Sequence, residues 1–207
     1  MNKKALILVD LQNDFFPGGT LGVPKADEIF PLANDIQNYF ELIVATKDWH
    51  PLNHGSFASN HPGHKLYDVV DLKGISQVLW PNHCVQKTKG AEFNSKLKTD
   101  KIQQVFYKGT DPDYDSYSTF FDNAHIKQTG MEKYLKDQGI KDVYIMGLAT
   151  DYCVFYSVLD AIKLGFNTYV ILDGCYGINK APGDVDRAIE SMKKAGAVIT
   201  DSKNLMH

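Results

Sequence analysis

Long apolar runs are missing from this chain. The first, Ala5–Val9, ends after five residues at Asp10. That is too short for a signal-peptide core and far too short to cross a bilayer, so a cytoplasmic protein without membrane contact is expected. Positive charge is not in excess either. Lys and Arg number 22 against 25 Asp and Glu, a net charge of −3, which disfavours a nucleic-acid partner needing a basic face. Cysteines are few: Cys84, Cys153 and Cys175, an odd and widely spaced set in 207 residues. This argues against a disulfide framework, and the lack of any C-x-x-C argues against thioredoxin-like chemistry. Neither G-x-G-x-x-G after a strand nor G-x-x-x-x-G-K-[ST] occurs, which disfavours dinucleotide and P-loop roles. There are no repeats, low-complexity tracts or linkers. The length suits one domain over residues 1–207 with a sizeable core.

What is present is an alternation of strand-like and helical patterns. Ala5–Asp10 reads as a strand buried on both faces. Further strands are expected over Leu42–Lys47, Gln104–Lys108, Val143–Gly147, Thr168–Leu172 and Ala197–Thr200. Helical spacing covers roughly Asp27–Phe40, Met131–Gln138, Tyr152–Leu164 and Val185–Ala195, and glycines 139, 165 and 196 close the last three. The pattern predicts an α/β fold, a mostly parallel six-stranded sheet with helices on both faces. Trp49–Gln103 shows little periodicity. A stretch that long without regular structure is expected to be functional.

Reactive residues fall at the expected strand ends. Asp10 closes one strand, Asp48 and His50 another, Lys108 a third, and Ala149–Cys153 leads from a fourth into its helix. Open parallel sheets bind ligands outside those carboxyl ends. Cys153 falls in the first turn of a predicted helix, after the potential N-caps Thr150 and Asp151. Free backbone N–H groups and the helix dipole there would lower its thiol pKa and could hold an oxyanion. A buried packing cysteine is the equal alternative on position alone, and packing is favoured for Cys84 and Cys175. Asp10 and Lys108 could serve as base and charge partner of a thiol; taken alone, a salt bridge is the better reading. Asp48 and His50, two apart on an extended segment, share a side and suit zinc, iron or manganese. His54, His61 and His64 lie on the same loop and His83 follows it. Solvent exposure is expected for His61 and His64.

Together these stretches resemble a known family. Ala5-Leu6-Ile7-Leu8-Val9-Asp10-Leu11-Gln12-Asn13-Asp14-Phe15 is similar to the opening strand of the isochorismatase-like hydrolase superfamily, a Rossmann-like α/β fold. Lys47-Asp48-Trp49-His50-Pro51 with Trp80-Pro81-Asn82-His83-Cys84-Val85 resembles its nicotinamidase and pyrazinamidase branch. Phe106-Tyr107-Lys108-Gly109 and Gly147-Leu148-Ala149-Thr150-Asp151-Tyr152-Cys153-Val154 resemble the lysine and nucleophile motifs. The resemblance spans nearly the whole chain. It implies a triad of Asp10, Lys108 and Cys153, and a cis peptide before Ala149, with an oxyanion hole from the N–H groups of Ala149 and Cys153. It implies an aromatic pocket of Phe15, Trp80 and Tyr117, and one divalent ion, zinc first, then iron or manganese, on Asp48, His50 and His83. His54, Ser56 or water would complete the ion's shell. The implied activity is hydrolysis of nicotinamide, and of pyrazinamide, to the acid and ammonia through a cysteine thioester, in salvage of NAD precursors. The oligomeric state is left open, a homo-oligomer included.

Overall fold

A computed structural model describes residues 3–206. Its centre is a six-stranded sheet in which every pairing is parallel. The strands are β1 (Lys4–Val9), β2 (Leu42–Asp48), β5 (Gln104–Lys108), β6 (Asp142–Leu148), β7 (Asn167–Tyr176) and β8 (Val198–Thr200). A separate antiparallel hairpin holds β3 (Val69–Leu72) and β4 (Ile75–Val78). The helices are α1 (Phe30–Asp35), α2 (Met131–Asp137), α3 (Phe155–Lys163) and α4 (Asp184–Ala195).

Side-chain alternation along β1 shows how both faces are covered. Leu6 and Leu8 join a core with Phe30, Ala33 and Ile36. Ala5, Ile7 and Val9 join the opposite core with Met131, Leu135, Val158, Ala161 and Met192. A strand buried on both faces must be apolar throughout, and Ala5–Val9 is. The sheet order is β5-β2-β1-β6-β7-β8. The chain therefore winds outward from β1 in one direction and returns at β6 to wind in the other. The reversal between β1 and β6 leaves a crevice at their carboxyl ends, where such sheets bind ligands.

Several expected elements differ. The helix expected over residues 27–40 is a 3-10 turn (Ala26–Ile29), the short α1 and a second 3-10 turn (Ile36–Tyr39). The Gln37 side-chain amide donates to the Ala33 carbonyl at 3.0 Å, competing for the acceptor that an α-helical N–H of Gln37 would use. The strand expected at Thr168–Leu172 runs on through Tyr176, with a register shift opposite Ile145 and Gly147. The stretch Trp49–Gln103 contains the hairpin, whose strands are only four residues each and bury a single side chain fully, too little to leave a periodic signal. Among the described residues no helix is long and apolar enough to cross a membrane.

Candidate active site

Parallel register brings three of the expected residues to one place. Asp48 is paired with Lys108 across β2 and β5, and β1 delivers Asp10 beside them. Asp10 leaves its strand in the left-handed region, φ 53°. Thr46 Oγ1 donates to Asp10 Oδ1 at 2.7 Å and accepts the Asp10 backbone N–H at 3.2 Å. The other carboxylate oxygen, Oδ2, faces Lys108 Nζ at 2.9 Å. Lys108 is wholly buried. Its ammonium also meets Asp48 Oδ1, the Ser116 carbonyl at 3.0 Å and Cys153 Sγ at 3.3 Å. One cation thus links both carboxylates and the thiol.

Cys153 belongs to a turn wider than expected. A π-helical turn spans Thr150–Val154 before α3 begins. The Ala149 carbonyl takes the N–H groups of Tyr152 and Val154, both at 3.1 Å, and passes over that of Cys153 between them. The Leu148–Ala149 peptide is cis. The cap differs from expectation too: Ala149 occupies the cap position and no side chain caps the turn. Asp151 instead accepts the N–H groups of Ile178 at 2.9 Å and Asn179 at 2.7 Å, fastening the segment after β7 to the turn that carries Cys153.

The thiol's acidity also departs from the expectation of a lowered pKa. Burial raises it well above the ordinary cysteine value; Lys108 opposes this, while Asp10 and Asp48 reinforce it. Desolvation of a thiolate outweighs one lysine and a helix terminus. Asp10 is raised as well, chiefly by burial, with Lys108 opposing and Asp48 adding to the rise. A carboxyl shifted upward is a stronger base toward the neighbouring thiol. Lys108 is held well above its usual value: burial would lower it, and Asp10 and Asp48 more than reverse that.

Beside this cluster lies a set of donors suited to a metal. Asp48 Oδ2 is 3.6 Å from His50 Nε2 and 3.7 Å from His83 Nε2. Among the described residues these three form one group of mutually close ligand atoms. Each imidazole has its Nδ1 on a backbone carbonyl, His50 on Gly109 at 2.8 Å and His83 on Pro81 at 2.8 Å. A proton on Nδ1 leaves the Nε2 lone pair free, which is how a metal-binding histidine is oriented. The His50 Nε2 atom is buried without a hydrogen-bond partner. Asp48 stays ionised: burial would raise its pKa, but Lys108 and His50 bring it well below the carboxylate range. Asp10 and Asp48 set two buried carboxylates against Lys108, and a third, Asp115, is buried within electrostatic reach of His50 and His54; a divalent cation would help to balance them. The residues fit such an ion. Gly109, with φ +62°, is needed for this: a Cβ there would fall on the His50 ring.

His54 groups differently. Its ligand atom falls with His50 and Asp115, not with Asp48 and His83. Its Nδ1 lies 2.7 Å from Ser56 Oγ and accepts the Ser56 N–H at 3.2 Å, while its Nε2 is buried and unpartnered. Burial and the nearby His50 lower its pKa to about 4, so it is neutral. His61, expected in solvent, bonds the Gly55 carbonyl at 2.7 Å and is half-buried; His64 is exposed.

Between the two clusters is a small cavity of about 20 Å³. Phe15, Leu21, Trp80, Tyr117, Tyr152 and Ile178 wall it, and Asp48, His83, Asp115, Ala149 and Cys153 line its floor. The three expected aromatics are all there. Sequence reasoning missed Thr46, Asp115, Tyr152 and Ile178. Thr46 could have been suspected as the polar residue on the Asp48 side of an otherwise apolar strand; Asp115 carries no spacing signal. Gln12 stands out in the sequence only as part of a motif. Its buried amide bonds Asp48 on both backbone groups, N–H to Oε1 at 2.8 Å and Nε2 to the carbonyl at 2.7 Å, which holds the end of β2.

The arrangement defines a cysteine hydrolase of the parallel α/β type, and residues 4–204 match the isochorismatase domain, the family to which the chain belongs. Its relatives narrow the position within that family. The chain is 47% identical over 203 residues to the nicotinamidase of Escherichia coli, covering 96% of this chain and 95% of that protein. A solved nicotinamidase and pyrazinamidase of Acinetobacter baumanii superposes with a TM-score of 0.96 at 45% identity, covering 99% of each chain. The pyrazinamidase of Pyrococcus horikoshii, solved in complex with zinc, is 42% identical with a TM-score of 0.78, covering 96% of this chain and 99% of that one.

Proposed function

We propose that this protein hydrolyses nicotinamide to nicotinate and ammonia, and accepts pyrazinamide in the same pocket. The observation that carries the reading is the Lys108 ammonium. It joins Asp10, Cys153 and Asp48 in one buried cluster, so a nucleophile and a metal-ligand set share a single narrow pocket. The E. coli and Acinetobacter relatives support the same substrate.

Asp10 takes the Cys153 proton and the thiolate attacks the carboxamide carbon. The N–H groups of Ala149 and Cys153 receive the developing oxyanion. Asp10 returns the proton to the amide nitrogen, the C–N bond breaks and ammonia leaves a thioester. Water then attacks that thioester while Asp10 accepts its proton. The C–S bond breaks and the thiol is restored. Throughout, Lys108 keeps the negative charges of Asp10 and the sulfur in register. Asp48, His50 and His83 would hold the divalent ion, zinc as in the Pyrococcus relative, and it would supply a Lewis acid for the ring nitrogen. Phe15, Trp80 and Tyr117 would flank the ring. His54 would act beside this ligand set and not within it, since its free nitrogen groups with Asp115. Residues 1–207 act as one domain in this reading. A cytoplasmic setting is consistent with three unpaired thiols, and the nicotinate released would serve salvage of NAD precursors.

The test is ammonia release from nicotinamide by the purified protein, with and without a chelator. Robust release that the chelator removes and added zinc restores is the expected result. No release in the presence of metal would overturn the reading.

A further inference from the structure

The hairpin β3–β4 looks like decoration. It lies outside the main sheet and its strand side chains are exposed or half-buried, save one. Gln77 is the exception, at 1% exposed. A glutamine rarely enters a core unless its amide is fully used, and this one is. Its Nε2 lies 2.9 Å from Tyr117 Oη, 3.1 Å from Asp115 Oδ2 and 2.8 Å from the Val78 carbonyl, so two hydrogens serve three acceptors. Its Oε1 accepts from Asn123 Nδ2 at 3.3 Å, and Asn123 Oδ1 in turn accepts the Tyr117 backbone N–H at 3.0 Å. Tyr117 is therefore held at both ends by one amide network.

The Tyr117 hydroxyl has a second donor. Trp80 Nε1 reaches it at 2.9 Å. The two rings stand at 86° to one another, and Tyr152 packs edge-on against Trp80 at 85° with centroids 4.8 Å apart. These three rings form much of the cavity wall. Its volume of about 20 Å³ holds a water molecule or two. A pyridine ring seated there would lie against this wall, whose attitude decides how the ring is held. The one oxygen that Trp80 and Gln77 share sets that attitude.

We infer that Gln77 is a positioning residue for substrate: through the Tyr117 hydroxyl it fixes the Trp80–Tyr117 wall against which the ring is seated. The inference rests on the proposed nicotinamide hydrolysis. Gln77 does not line the cavity and makes no bond to Cys153, so its loss should weaken ring seating and leave the thiol chemistry in place.

The experiment compares wild-type protein, Gln77→Leu, Tyr117→Phe and the double variant, each zinc-loaded, for kcat and KM with nicotinamide. Zinc content is measured alongside by elemental analysis. Gln77→Leu should raise KM about tenfold, the scale of one lost buried hydrogen bond, with kcat changed by less than roughly threefold and zinc at the wild-type level. In the Tyr117→Phe background the same change should add less than about twofold, because its route to the wall is already cut. Should leucine at 77 fail to fold, Gln77→Met keeps the unbranched length, removes both N–H donors and is expected to raise KM in the same way. Unchanged KM, full additivity in the double variant, or loss of zinc in step with KM would each overturn the inference while wild-type turnover stands. Failure of the wild-type protein to release ammonia would overturn both this and the parent reading.

Discussion

Asp10 and Lys108 close parallel strands and Cys153 lies in the turn that follows a third, a strand-end set, whereas His50, His83, Trp80 and Tyr117 come from irregular segments laid over those ends. The first set is placed by backbone register. Once β1, β2 and β5 pair in parallel, Asp10, Asp48 and Lys108 have nowhere else to go. The second set is placed by individual hydrogen bonds: Gly109 and Pro81 carbonyls for the imidazoles, Gln77 and Asn123 for the aromatic wall. The difference teaches how the labour is divided. In the proposed reaction the sheet supplies the group that makes and breaks bonds, and the loops supply the surface that selects what is brought to it. Loops on a rigid scaffold are where specificity is built in general.

If that division holds, damage to the strand-end set should remove chemistry and spare binding. Cys153→Ala is expected to lower kcat with nicotinamide by roughly four orders of magnitude or more, with nicotinamide still bound by calorimetry. Asp10→Asn should be as severe, and the double variant no worse than either, because one unit is being disabled. Multiplicative losses, or near-normal ammonia release by Cys153→Ala, would break the comparison at its first term.

Damage to the loop set should act through metal and ring. Stripping the ion with a chelator should abolish turnover, and zinc, iron or manganese should restore it. His83→Ala should lose the ion by elemental analysis, and His54→Ala should lose less, since its nitrogen groups with Asp115. A fully metallated His83→Ala protein would mean that the ligand set is wrong. Equal losses in the two variants would place His54 among the ligands.

A smaller effect sharpens the same contrast. Benzamide has the carboxamide but no ring nitrogen. It would seat less accurately, and a misplacement of about 1 Å costs on the order of a hundredfold. Its kcat/KM is expected to fall by about that factor, while pyrazinamide reacts well. Benzamide turning over within a few-fold of nicotinamide would show that the loops do not read the ring nitrogen. Least affected should be Cys84→Ala and Cys175→Ala, which remove thiols assigned to packing and leave the Cys84 carbonyl that accepts the His50 N–H in place. Activity should stay within about twofold of wild type, with a stability loss of about 1 kcal/mol for the fully buried Cys84, read from the shift in denaturation midpoint. A dead Cys175→Ala enzyme would mean that the nucleophile has been misassigned.

Much of the strand-end set is legible in the amino-acid order alone. Ala5–Asp10 announces a doubly buried strand ending in a carboxylate because burial on two faces demands unbroken apolarity. Lys108 is legible as a charged residue closing a strand, and Cys153 as a reactive one in the turn that follows another, since parallel sheets keep their sites at those carboxyl ends. Motif resemblance adds the partnership of Asp48, His50 and His83 across an unpatterned gap. What only the tertiary structure decided depends on contacts between distant segments. Asp151 reads as an N-cap from its place before Cys153, yet its oxygens go to Ile178 and Asn179. The thiol's pKa reads as lowered by a helix terminus, yet burial among carboxylates raises it. Asp115 and Gln77 have no local pattern, because a polar side chain in a core answers to partners far along the chain, 38 residues apart in this pair. Periodicity records which face of an element is covered. It does not record what covers it, and in this protein that decides where the ring would be held and how the thiol is tuned.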